Sequence, residues 1–95
     1  MAIMTEDGVT RVVRGPVCYL MFTGSLGGGT LTVQRLVDGG DRDNDDDWVP
    51  LADASGVAEY TVSPGGGKYE VPSDTLLRAK LSGAIAPSLE YSFNS

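Results

Sequence analysis

Apolar and polar positions alternate with a period of two through most of this chain. Leu31 and Val33 alternate with Thr30, Thr32 and Gln34; Leu77, Ala79 and Leu81 with Arg78, Lys80 and Ser82; Leu89, Tyr91 and Phe93 with Ser88, Glu90 and Ser92. That is the period of a β-strand with one buried face. Weaker versions of the pattern predict strands over residues 9–14, 48–51 and 68–71. A further strand is predicted over 57–62, where Ala58, Tyr60 and Val62 oppose Glu59 and Thr61. Residues 17–23 differ, because Val17-Cys18-Tyr19-Leu20-Met21-Phe22 is a nearly continuous apolar run. It predicts a strand buried on both faces or set against another subunit. Turn residues punctuate the series at Gly15-Pro16, Gly27-Gly28-Gly29, Asp38-Gly39-Gly40, Pro64-Gly65-Gly66-Gly67 and Gly83. Aspartate and glycine accept the positive φ of tight hairpins, and Pro50 marks residues 48–51 as an edge or a strand end.

Strands of this length with turns at spacings of roughly ten residues predict an all-β fold. The expected architecture is one compact β-sandwich or small barrel of about eight short strands, jelly-roll-like or immunoglobulin-like. A chain of 95 residues supports one modest core and no second one. The expected division is a polar, flexible N-terminal arm over residues 1–8, then the sandwich over 9–95. No apolar stretch approaches the roughly 20 residues of a membrane-spanning helix. The first residues, Met-Ala-Ile-Met-Thr-Glu-Asp-Gly, lack the basic start and apolar middle of a secretory signal, so synthesis in a cytoplasm is expected.

Charge narrows the choice of partners. The net charge is −6, and Asp38, Asp41, Asp43, Asp45, Asp46 and Asp47, offset by Arg42, hold most of it in one loop. Without a basic patch the chain is a poor ligand for nucleic acid or an anionic membrane. Asp41, Asp43 and Asp45 have the one-three-five spacing of a calcium loop, but Asp46 stands at its glycine position and Ala52 at its glutamate position. They form a weak Ca²⁺ candidate; the other reading is a solvated hairpin tip that guards a strand pair from aggregation.

Catalytic chemistry is scarce. The chain has no histidine and a single cysteine, Cys18, set among apolar neighbours where a thiol packs as a small hydrophobe. Pro64-Gly65-Gly66-Gly67-Lys68 lacks the spacing of a phosphate-binding loop and reads as a turn. Trp48 reads as a core or subunit anchor. No enzyme activity and no cofactor are expected.

Residues 27–34 (Gly-Gly-Gly-Thr-Leu-Thr-Val-Gln), Asp38-Gly39-Gly40 and Asp47-Trp48-Val49-Pro50-Leu51 together resemble small structural proteins of tailed bacteriophages. Tyr69-Glu70-Val71-Pro72, the segment 76–84 and the final strand are similar to theirs as well, so the likeness covers roughly residues 17–93. The aspartate-rich insertion at 41–46 departs from that pattern, where the usual turn is shorter. The resemblance implies a virion protein, above all a capsid decoration (cement) protein that binds the major capsid protein as a homotrimer on the capsid surface. Val17, Tyr19, Met21, Trp48, Arg78 and Lys80 are the expected contact residues. The alternative is a receptor- or carbohydrate-binding module of a tail or fibre, with Trp48, Tyr60, Tyr69 and Tyr91 as its rings.

Overall fold

The computed structural model describes residues 2–95, and the alternating segments pair into two antiparallel sheets. The first sheet has the order β1 (Ala2–Met4), β9 (Ser88–Asn94), β4 (Val17–Ser25), β7 (Gly65–Glu70). The second runs from β2 (Gly8–Val9) to β8 (Leu76–Ser82), β5 (Thr30–Leu36) and β6 (Trp48–Pro50), with β3 (Val13–Arg14) also on β8. Gly8 and Val9 face Leu81 and Lys80, whereas Val13 and Arg14 face Leu77 and Leu76, a slip of one residue. β2 and β3 are thus two halves of one strand broken by a bulge. Thr10 bridges the break: its N–H donates to Ala79 O at 2.9 Å and its hydroxyl accepts from Ala79 N at 3.0 Å.

Counted that way there are eight strands, and their pairing decides between the expected architectures. The first pairs with the eighth (β1·β9), the second with the seventh (β2/β3·β8), the third with the sixth (β4·β7) and the fourth with the fifth (β5·β6). This is a two-stranded ribbon rolled up on itself, the jelly roll. An immunoglobulin sandwich would pair its first strand with its second.

Leu20 and Phe22 of β4, Leu89 and Phe93 of β9, and Tyr69 of β7 meet Leu31, Val33, Leu77, Ala79 and Leu81 from the second sheet. Cys18 lies among them, fully buried, and burial pushes its thiol pKa up. A thiol in that setting is an inert packing group.

Four expectations change. Of the arm expected over residues 1–8, the first residue lies outside the described residues and the rest is not free: Ala2–Met4 adds an edge strand to β9, and Met4 is buried beside Leu89. With one inward residue the segment has no readable period. Residues 17–23 are not buried on both faces, since Cys18, Leu20 and Phe22 point inward while Tyr19 and Met21 are exposed. Residues 57–62 make no strand; only Tyr60 bridges to Leu31, by two backbone bonds of 2.8 and 2.9 Å. Val57 N–H instead donates to the Asp53 carboxylate, which bends the segment away from a ladder. The glycines at 65–67 belong to strand β7 rather than to a turn. A Cβ at Gly65 would lie 2.7 Å from the Phe22 ring, and one at Gly67 would lie 2.5 Å from Asp53 Oδ2 and Tyr60 OH. Close approach of other groups, not reversal of the chain, requires glycine there.

Candidate functional site

The acidic loop is exposed to solvent but folded on itself through internal hydrogen bonds. Asp41 N–H donates to Asp47 Oδ2 at 2.8 Å, Asp43 N–H to Asp41 Oδ1 at 2.9 Å, and Asp46 N–H to Asn44 Oδ1 at 3.1 Å. These side-chain acceptors replace the backbone partners a short loop lacks. A single 3₁₀ turn, Asp45–Asp47, delivers the chain to Trp48.

Beneath the loop lies a small buried cluster built on Trp48 and Arg78. Leu77 and Ala79 face the main core, so strand alternation turns Arg78 to the outer face of the second sheet. There Arg78 is buried all the same, 5 % exposed, and so is not open as the contact residue expected. Its guanidinium carbon sits 4.5 Å from the centroid of the Trp48 ring. Arg78 Nε donates to Gln34 Oε1 at 2.9 Å and Nη2 to Asp45 Oδ1 at 3.0 Å. Trp48 is also buried, and its Nε1 donates to Arg42 O at 3.0 Å. A buried cation is tolerable only when paired and hydrogen-bonded, and the loop supplies both. Lys80, on the same face, remains half-buried opposite Thr32 and Val9.

The Ca²⁺ candidates are not brought together as a ligand set. The Asp41 carboxylate holds the Asp43 amide and the Asp45 carboxylate holds Arg78. Among the described residues no three metal-ligating side chains converge.

A polar cluster that the pattern of residues did not reveal joins the two sheets. Asp53 Oδ1 accepts from Ser55 N–H, Ser55 Oγ and Val57 N–H at 2.7–2.9 Å. Its Oδ2 accepts from Tyr60 OH at 3.0 Å, and Tyr60 OH lies 2.8 Å from Tyr69 OH. The hydrogen bonds from Ser55 and Val57 lower the Asp53 pKa, whereas burial raises those of Tyr60 and Tyr69. Ala54 N–H donates to Lys68 O at 2.8 Å, so the same segment covers part of the outer edge of β7. The cluster is interior and holds this connection in place. The signal for it was an aspartate followed two residues later by serine, an Asx-turn pattern easily taken for an ordinary loop.

The apolar surface gathers elsewhere. On the outer face of the first sheet Tyr19 and Met21 are 53 % and 66 % exposed, and Ile3 on β1 is 61 % exposed. Met21 lies between Ser92 and Gly66, and Tyr19 between Asn94 and Lys68. Glu70 pairs with Lys68 at 3.0 Å beside half-buried Val17. Of the expected contact residues, Val17, Tyr19 and Met21 therefore share one open face. Trp48, Arg78 and Lys80 belong to the opposite sheet, where the first two are covered by their own loop. Trp48, Tyr60 and Tyr69 are buried and Tyr91 is half-buried, so the rings expected for sugar stacking do not form an open platform. Compared with protein-family models, curated proteins and solved structures, the chain matches none.

Proposed function

We propose that this protein is a bacteriophage virion component that decorates the capsid, docking through the outer face of the β1-β9-β4-β7 sheet. The observation that carries the reading is the exposure of Tyr19 and Met21, two residues apart on β4, and of Ile3 on β1, on one outer sheet face. Large side chains left in water on a regular sheet are what a protein contact removes. Jelly rolls recur in viral capsid domains, which supports the reading, although a fold alone does not assign a function. The mechanism is mechanical. Each subunit contributes a modest contact with the major capsid protein and with its own neighbours in a trimer. Repetition over a symmetric lattice turns modest contacts into firm attachment. No catalytic step or cofactor takes part.

Immunogold electron microscopy on intact virus particles from the native source tests the proposal. Label spread over the head is the expected outcome. Label confined to a tail or fibre moves the docking face to another partner. Unlabelled particles, with protein present in the host lysate, overturn the virion assignment.

A further inference from the structure

The sequence holds two aspartate–glycine pairs, Asp7-Gly8 and Asp38-Gly39. A pair of this kind can close on itself. The side-chain carboxyl and the next backbone nitrogen are spaced to form a five-membered ring, and glycine has no Cβ to hold them apart. The fold treats the two pairs in opposite ways.

Asp7 is clamped. Its Oδ2 accepts from Gly83 N–H at 3.0 Å and its Oδ1 from Ala84 N–H at 2.9 Å. Gly8 is itself paired with Leu81 in the ladder of β2 and β8. Both bonds to the carboxylate must break before it can turn onto the Gly8 nitrogen. Asp38 is open. Among the described residues its carboxylate has no hydrogen-bond partner and no ion pair, and Gly39 N–H donates to nothing. Both residues are exposed, Gly39 has a φ of 74°, and a Cβ built on it would meet nothing within 4 Å. The turn they form is closed by Gly40 N–H donating to Val37 O at 2.9 Å. None of the other aspartates in this loop is followed by glycine.

From this contrast we propose that Asp38-Gly39 is a self-modifying site, at which aspartate rearranges to isoaspartate through a cyclic imide. The Gly39 nitrogen attacks Asp38 Cγ and a C–N bond forms. A carboxyl oxygen leaves as water, taking the amide proton and one proton from solvent. Water then opens the ring. Addition at Cγ restores aspartate, whereas addition at the main-chain carbonyl carbon leaves isoaspartate. The sequence of steps releases and consumes one water and moves no electrons to or from the chain. Isoaspartate routes the backbone through Cβ and Cγ, which adds one carbon inside the turn between Val37 and Gly40, at the foot of the acidic loop. The site does not depend on the capsid reading.

Incubation of the full chain at neutral pH in heavy-oxygen water tests the proposal, because each ring opening leaves one heavy oxygen at the residue that closed. Peptide mapping by mass spectrometry locates the label, and electron-transfer fragmentation tells isoaspartate from aspartate. In the folded protein, label and isoaspartate are expected at Asp38. Asp7 should label at least about tenfold more slowly, the scale of two hydrogen bonds that must break first. In denaturant the two sites are expected to label at similar rates. A folded Asp38 that labels no faster than Asp7 overturns the proposal. So does an unlabelled Asp38 over a period in which the unfolded chain acquires label. Label at Asp38 that returns only aspartate overturns the rearrangement, and a tenfold difference that persists in denaturant overturns the part assigned to the fold.

Discussion

Asp53 sits where the chain passes between the sheets, and one carboxylate there organises Ser55, Val57 and Tyr60. Its pKa is lowered chiefly by the hydrogen bonds from Ser55 and Val57. A carboxyl that titrates lower in the folded state stabilises the fold above its unfolded value, about 3.9. That contribution is lost as pH falls through the folded value. Asp53→Asn is therefore expected to melt below the wild type at neutral pH. The gap should narrow as melts are repeated from about pH 5 down to about pH 2. A gap that stays constant would show that shape, not ionisation, matters at this position. Gly67→Ala tests the space around the cluster, because its Cβ would lie 2.5 Å from both Asp53 Oδ2 and Tyr60 OH. Thermal melts should show a loss on the order of 1–3 kcal/mol, the cost of overpacking.

At the scale of elements, the acidic loop and the strands beneath it behave as one unit. Arg78 is held between the Trp48 ring and Asp45, so loop and sheet close over each other. Arg78→Ala is expected to cost about 1–2 kcal/mol through lost packing and cation–π attraction. It should also shift Trp48 emission to longer wavelength as water reaches the ring. Unchanged emission would mean that the loop shields the indole without Arg78. Because the Asp41 and Asp45 carboxylates already serve Asp43 and Arg78, millimolar Ca²⁺ should leave the melting temperature unchanged. A rise that EDTA reverses would show that the loop rearranges to bind the ion.

For the whole molecule, the proposed docking face is distinct from the face that builds the core. Cys18, Leu20 and Phe22 build the core, while Tyr19 and Met21 on the same strand face outward. Replacing both outward residues, Tyr19→Ser with Met21→Lys, is expected to leave the melting temperature nearly unchanged. The same pair should reduce self-association in sedimentation and occupancy on virus particles. Full occupancy by the double variant would remove this face from the docking proposal.

How much of this was legible in the chain depends on the range of the interactions involved. The period-two segments at 30–36, 77–82 and 88–93, with the glycine and aspartate turns between them, determined an all-β sandwich of about eight strands. Alternation and turn chemistry are local, so each segment reports its own inward face. Segments with too few inward residues escaped that reading: β1 has only Met4, and at 57–62 the side chain of Asp53, four residues earlier, claims the Val57 amide. The rolled-up order of the ribbon, the covering of Arg78 and Trp48, and the meeting of Asp53 with Tyr60 and Tyr69 were decided by tertiary structure. Each joins residues whose partners lie in other strands or loops, and the chain carries no local period for such encounters. An arginine at 78 alternates with leucine and alanine whether solvent or a tryptophan covers it; only the loop that folds over it makes the difference.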